Sequence, residues 1–242
     1  MSQVTPYKIN SRSKKEQVTD MFNNIAENYD FLNHFLSLGI DKLWRKKAIA
    51  LLKDTPSGSK ILDIATGTAD FAIAALKLHP AKITGVDISE KMLDKGREKI
   101  KYLNLENKIE LTVADSENLP YGDNSFNAIT VGFGVRNFEH PEKGLSEMYR
   151  VLGIGGAVAI LEFSKPKIFP IKQIYNLYFL NVLPLAGKII SKDHRAYTYL
   201  PESVRAFPEG ASFLEIMQKA GFREIKQIPL SFGIASIYFG IK

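Results

Sequence analysis

Lys60-Ile-Leu-Asp-Ile-Ala-Thr-Gly-Thr-Ala-Asp70 decides how this chain folds. Ile61, Leu62 and Ile64 form a short apolar run suited to a buried parallel strand. Gly67 breaks the run just before a helical pattern through Phe71, Ala72, Ala75 and Leu76. A strand, a tight turn and a helix in that order bring backbone N–H groups and a helix N-terminus to the carboxyl edge of a sheet, where open α/β folds bind their ligands. A second strand, Lys82-Ile-Thr-Gly-Val-Asp87, ends in a carboxylate roughly twenty residues after the glycine turn. An acid there can accept hydrogen bonds from both hydroxyls of a ribose. Ala65 and Ala69 stand where a dinucleotide fingerprint would put more glycine, so a nucleoside without phosphates suits the turn better. Asp63 is a charge inside a buried strand, which leaves two readings open: a ligand contact, or an acceptor that satisfies loop amides.

At 242 residues the chain is most simply one α/β domain with additions. Hydrophobic content of 45% and charged content of 24% argue against global disorder. The absence of cysteine excludes disulfides, thiolate metal sites and cysteine nucleophiles. A net charge of +6 could suit an anionic membrane surface or a nucleic acid, yet the basic residues are scattered over ordinary helical faces. With no basic stripe and no Asn/Asp-Pro-Pro-aromatic motif, no nucleic-acid partner is expected. The polar start of the chain holds no signal-peptide core, so the expected compartment is the cytoplasm. No two histidines have a spacing that suggests a metal site; His34 and His140 are read as solvent-facing or capping.

Ahead of the first strand, Val18, Met21, Phe22, Ile25 and Tyr29 recur at helical spacing, and Leu43, Trp44, Ala48, Leu51 and Leu52 predict a second helix. After Asp87 come a helix through Met92, Leu93, Gly96 and Ile100, a strand at Ile109–Val113, and a strand at Phe126–Val131. A helix from Pro141 to Leu152 is expected to end in Gly153–Gly156 before a strand at Ala157–Leu161. Residues 163–208 break the alternation; Gln173–Gly187 is uncharged and apolar, interrupted by Pro184, and shorter than the ~20 residues a spanning helix needs. A helix near Phe213–Ala220 and two strands, Glu224–Leu230 and Ala235–Lys242, close the chain; their short linker makes them antiparallel.

Asp63, Gly67, Thr68 and Asp87 together resemble the S-adenosylmethionine site of class I methyltransferases. That resemblance implies a Rossmann-like α/β sheet with helices on both faces and an antiparallel C-terminal strand. Residues 1–58 would form an N-terminal helical cap and residues 163–208 a helical insert or lid, within a single domain spanning 1–242. The turn would face the methionine part of the cofactor, and Asp87, followed by Ile88, would hold the ribose. Asp115 would lie near the adenine amino group, and Ser116 would supply a backbone contact.

Three further segments narrow the resemblance. Tyr29-Asp-x-Leu-Asn33, followed by Ser37 and Trp44, is similar to the first signature of the ubiquinone/menaquinone biosynthesis C-methyltransferase family. Arg150-Val-Leu152, Gly155-Gly156 and Glu162-x-Ser164 resemble its second signature, and Gly132-Phe-Gly-Val-Arg-Asn137 resembles its loop between cofactor and quinone. Leu32 replaces a methionine usual in that family, Gly153-Ile154 a Lys-Pro-like pair, and Gly132 a frequent serine. The resemblance implies carbon methylation of demethylmenaquinol with S-adenosylmethionine as donor, Gly132 in the cofactor set, and Arg136, Asn137 and Tyr29 on the substrate side. Arg136 would lower a quinol pKa or orient a water, Asn137 would donate to the second ring oxygen, and Tyr29 would bond or stack on the ring. A salt bridge to Glu139 or Glu162 is the plain alternative for Arg136, and helix packing is the plain alternative for Tyr29. The insert offers the prenyl tail cover and peripheral contact with the inner face of the membrane, with Lys165, Lys167, Lys172, Lys188 and Lys192 at its edges; a dimer contact is the other use for it. Competing readings are methylation of another apolar small molecule, such as a polyprenyl benzoquinol, sterol or polyketide, and a nicotinamide-dependent oxidoreductase on the same sheet.

Overall fold

Ile61, Leu62, Asp63 and Ile64 are all buried, as a run apolar on both faces demands, and they form the central strand β1 (Lys60–Ile64). The computed structural model describes residues 4–9, 11–30, 37, 39–178 and 194–242. Around β1 lie β2 (Lys82–Asp87), β3 (Ile109–Val113), β4 (Phe126–Gly132), β5 (Leu152–Phe163), β6 (Arg223–Leu230) and β7 (Ala235–Ile241). They make one sheet in the order β3-β2-β1-β4-β5-β7-β6. Strands β1 to β5 pair in parallel, whereas β7 runs antiparallel to β5 and β6 antiparallel to β7, as their short linker requires. The strand order reverses between β1 and β4, and that switch point puts the carboxyl ends of β1, β2, β3 and β4 around one crevice.

Alternate strand residues feed two cores. On one face Ile61, Ile83 and Leu161 pack with α2 (Ile40–Leu51), α3 (Asp70–Ala75) and α4 (Glu90–Tyr102), through Trp44, Phe71 and Leu93. On the other, Leu62, Ile64 and Ile160 pack with α5 (Pro141–Val151) and α8 (Ala211–Lys219), through Leu145, Met148 and Phe213. The short helix α6 (Ile171–Leu177) and the helix α7 (His194–Ala206) belong to the insert. Among the described residues no helix is long and apolar enough to cross a membrane. Residues 179–193, with Pro184, Lys188 and Lys192, lie outside the described residues, as do Leu32, Asn33 and His34 of the first signature.

One expected boundary is corrected. Gly153–Gly156 do not separate helix from strand; β5 already starts at Leu152. Leu152 pairs with Phe126 and Ala157 with Ala128, so the glycines form a bulge inside the ladder, which is what glycine in a strand often marks.

The first helix, α1 (Lys14–Ile25), opens with a capping box: Ser13 Oγ accepts from the Glu16 N–H at 3.2 Å and Glu16 Oε2 accepts from the Ser13 N–H at 2.8 Å. Its apolar stripe, Val18, Met21 and Ile25, meets Ala196 and Tyr199 of α7. Polar contacts fix its height above the sheet. Asn23 Oδ1 accepts from Ser89 Oγ at 2.8 Å and from the Lys91 N–H at 3.3 Å, at the start of α4. α1 thereby roofs the crevice.

Candidate active site

The crevice is lined from the carboxyl ends of β1, β2, β3 and β4 below and from Lys15, Val18 and Phe22 of α1 above. Its floor is the turn after β1. Ala65 and Ala69 adopt left-handed backbone, at φ 53° and 69°, a conformation costing about 1 kcal/mol or more for each Cβ. The turn is held in that shape by its own ladder: the Thr66 N–H bonds Val86 O at 3.0 Å and the Ala69 N–H bonds Thr66 O at 2.9 Å. Gly67 has φ 54°, and a Cβ on it would lie 3.2 Å from Met92 Cε and 4.0 Å from Tyr29 Cε1, both crevice residues. A bare glycine keeps the floor open there.

Asp87 stands at the end of β2, facing the crevice. Its Oδ2 accepts from the Gly67 N–H and its Oδ1 from the Ser89 N–H, each at 2.9 Å. Burial pushes its pKa up, against those backbone bonds. Each oxygen retains a lone pair, so the carboxylate can still accept two hydroxyls from the crevice side. Ile88, Asp115, Ser116 and Gly132 also line the crevice. Asp115 Oδ1 accepts from the Glu117 N–H at 2.9 Å, and Oδ2 pairs with Lys15 Nζ at 2.5 Å. Sequence reading missed Lys15; it reaches Asp115 from α1, a hundred positions away, with no local pattern to announce it.

Asp63 and Thr68 are not brought to the crevice surface. Asp63 is 0% exposed and accepts from Thr66 Oγ1 and Thr130 Oγ1, both at 2.6 Å, and from the Ala72 N–H at 3.1 Å. It ties the turn to β4 and to the start of α3. Thr68 Oγ1 donates to Asp30 Oδ1 at 2.5 Å, and Asp30 also pairs with Lys99 at 2.5 Å. That knot anchors the Tyr29-Asp30 segment beside Gly67, where the Tyr29 ring meets Phe22 edge-on at 6.0 Å.

Desolvation outweighs the three bonds to Asp63 and pushes its pKa up to about 6. An unfolded Asp titrates near 4, so the folded state binds the proton more tightly. Stability is therefore gained as pH falls through 6 and lost as it rises. Relative to Asp63→Asn, the unfolding free energy of the unmodified chain should drop by on the order of 3 kcal/mol between about pH 4 and about pH 7. Denaturant titrations of both proteins across that range check it; a constant difference would mean an unshifted carboxyl.

The far wall is the loop after β4. Gly134 lets it close on the turn: a Cβ there would sit 2.4 Å from the Ala65 Cβ. Phe133, at φ 57°, stacks near Phe163 at 4.5 Å. Phe133, Gly134 and Asn137 line the crevice, while Arg136 lies one layer behind them. Its side chain is 9% exposed; Nη1 pairs with Glu162 Oε1 at 2.9 Å and also donates to Phe133 O. Glu162, 0% exposed, accepts from the Arg136 N–H at 3.2 Å as well. The ion pair named as one alternative for Arg136 thus exists, with Glu162 as the partner, and among the described residues it leaves Arg136 Nε without an acceptor. Lys14 of α1 caps the loop, its Nζ donating to Arg136 O at 3.0 Å and Phe138 O at 2.8 Å. Burial first, then the charge of Arg136, pushes Lys14 down to about 8.

Val18 and Phe22 complete the roof. Their helical face was legible in the sequence, but where it docks was not.

Residues 10–242 match the model of the ubiE/COQ5 methyltransferase family. The chain is 49% identical over 240 residues to a demethylmenaquinone methyltransferase of Bacteroides fragilis, covering 99% of this chain and 97% of that one. It is 45% identical over 231 residues to the ubiquinone/menaquinone biosynthesis C-methyltransferase UbiE of Geotalea daltonii, covering 95% and 97%. Among solved structures, the [4+2]-cyclase SpnF superposes with a TM-score of 0.66 at 17% identity, over 94% of this chain and 96% of that one. An S-adenosylmethionine-dependent methyltransferase from Aquifex aeolicus gives 0.57 at 20% identity, over 81% and 89%. At those identities the structural likeness speaks for the fold alone. A family match over nearly the whole length, together with relatives at almost half identity, places this chain in the ubiE/COQ5 methyltransferase family, as a methyl-transferring enzyme.

Proposed function

We propose that the chain uses S-adenosylmethionine to methylate a ring carbon of demethylmenaquinol, yielding menaquinol. The carrying observation is that Gly67 and Asp87 open onto the same crevice as Phe133 and Asn137 of the loop backed by Arg136. A nucleoside fits this place: the floor would be filled by any Cβ at Gly67, Asp87 has lone pairs to spare, and Ile88 and Ala114 offer apolar contact. Asp87 would hold the ribose, Gly67 would face the methionine part, and Asp115 and Ser116 would meet the base, with Ile88 and Gly132 beside them. Asp63 and Thr68 would act through the turn they brace. When bound, S-adenosylmethionine supplies a methyl group on a cationic sulfur.

The chain must then prepare the other reactant. A ring carbon is a weak nucleophile until a neighbouring hydroxyl releases its proton to solvent water, and the carbon that gains the methyl then gives up its own proton to restore the aromatic quinol; the residues near that oxygen therefore set the rate. Arg136 Nε, an N–H without a partner among the described residues, would donate to the ionising oxygen and stabilise the phenolate. Asn137 Nδ2 uses one N–H on Phe133 O at 3.4 Å and keeps a second, while its Oδ1, without a partner among the described residues, would accept from the second ring hydroxyl. Tyr29 would stack on or bond the ring. Val18, Phe22 and Phe133 would exclude water, which strengthens every charge interaction inside. Residues 1–58 would serve as cap and 163–208 as lid to one catalytic unit. Incubation with isotopically labelled S-adenosylmethionine and a short-chain demethylmenaquinol, followed by mass spectrometry, tests the reading. One labelled methyl on ring carbon supports it; label on oxygen, or none, contradicts it.

The prenyl tail calls for a lipid neighbour. Ile168, Phe169, Ile174 and Leu177 are 58%, 77%, 61% and 63% exposed, with Lys165 and Lys167 just before them in sequence and Lys172 between them. Such an apolar and basic surface suits peripheral contact with anionic lipid. The chain should float with anionic vesicles, and Phe169→Glu with Ile174→Glu should abolish that flotation; equal flotation of both proteins would remove the membrane role from this surface.

A further inference from the structure

Tyr199 is enclosed between α7 and α1, 2% exposed, against Val18, Met21 and Ile25. A buried tyrosine hydroxyl normally finds a partner, and leaving it without one costs about 1–3 kcal/mol. Among the described residues the Tyr199 hydroxyl has none. Phenylalanine would pack the same ring without that cost, so packing does not explain the oxygen. Two more buried orphan atoms, Arg136 Nε and Asn137 Oδ1, belong to the 3₁₀ turn Val135–Asn137, against which α7 packs. The charged groups that influence the Tyr199 hydroxyl are Arg136 of that turn, its partner Glu162, and Glu202 on α7 itself. The Tyr199 ring shares its apolar cluster with Phe22, Tyr29 and Ile88, which line the crevice. Three unspent polar atoms from two elements thus gather around the turn Val135–Asn137, two N–H or O–H donors and one acceptor; Asn137 lines the crevice, and Tyr199 and Arg136 lie behind its wall.

We propose that Tyr199 contacts the substrate, its hydroxyl donating a hydrogen bond to the quinol oxygen that ionises, beside Arg136 Nε, while Asn137 Oδ1 accepts from the oxygen that keeps its proton. Desolvation holds the phenol well above its usual titration range, so Tyr199 is a donor and not a base. The inference rests on the quinol reading of the site. It adds a specificity device: an aromatic lacking the ionisable oxygen would leave two buried donors unmet.

Tyr199→Phe tests it, with kcat and KM for a short-chain demethylmenaquinol measured across pH, S-adenosylmethionine affinity by calorimetry, and thermal unfolding. The expected variant loses about 10²-fold in kcat and needs higher pH to reach its plateau, because the quinol anion has lost a donor. Cofactor affinity should stay within about twofold, and Tm should hold or rise once the orphan oxygen is gone. An unchanged kcat and pH profile overturns the inference, as does a parallel loss of cofactor affinity, which would make Tyr199 structural. If the unmodified protein binds S-adenosylmethionine but leaves the quinol untouched, the substrate reading fails and this inference with it; active unmodified protein with an unaltered Phe variant overturns the inference alone.

Discussion

Arg136→Ala should lower kcat by on the order of 10³-fold while S-adenosylmethionine affinity changes little. It should also destabilise the fold. Glu162 is 0% exposed and Arg136 is its ion-pair partner at 2.9 Å, and stripping one member from a buried pair costs about 3–5 kcal/mol. The two effects separate in the double variant Arg136→Ala/Glu162→Gln. A neutral amide keeps an acceptor for the Arg136-position N–H or the Phe163 N–H, now bonded at 3.2 and 2.9 Å, without an unpaired charge. Stability should therefore return and turnover should not. Recovery of both would demote Arg136 to a structural counter-ion, and loss of cofactor affinity in step with kcat would do the same.

Asp87→Ala carries the second large effect, on binding. Two charge-assisted hydrogen bonds, each of about 1.5–3 kcal/mol, would go with the carboxylate, so S-adenosylmethionine should bind at least about 10²-fold more weakly. Some of the loss would come from the turn itself, since Asp87 also holds the Gly67 and Ser89 N–H groups at 2.9 Å. Asp87→Asn keeps one acceptor and should fall between. Burial raises the Asp87 pKa; protonation removes an acceptor, so affinity should decline on acidification from above the ordinary carboxylate range. Calorimetry on the three proteins checks this, and equal affinity for all three would place the ribose elsewhere.

How much of this could be read without the structure varies by physical cause. β2 was legible to the residue and β1 by its apolar run, because central parallel strands are apolar on both faces and end where a glycine turn or a carboxylate must begin. The start of β5 was hidden, since Gly153, Gly155 and Gly156 look like a helix stop until the register jump against β4 shows them as a bulge. α7 was legible only as part of a helical insert, its bounds His194 and Ala206 unmarked and Pro201 inside it. Within the site, Asp87, Ser116 and Asn137 are presented by a strand end or the adjoining loop and line the crevice. Asp63, Thr68 and Arg136 have side chains that face other groups, and which way a side chain turns depends on partners such as Thr130, Asp30 and Glu162 far along the chain. The roof from Lys15, Val18 and Phe22 depended on where α1 docks, decided by Asn23 at Ser89 and Lys14 at Arg136 O and Phe138 O.

A crystal structure with S-adenosylhomocysteine, the product nucleoside, examines the whole arrangement at once. Both ribose hydroxyls should lie within hydrogen-bond reach of Asp87, the adenine by Asp115 and Ser116, and the sulfur should face the side of the crevice walled by Asn137. A nucleoside bound outside this crevice, or an Asp87 carboxylate turned from the sugar, would contradict it.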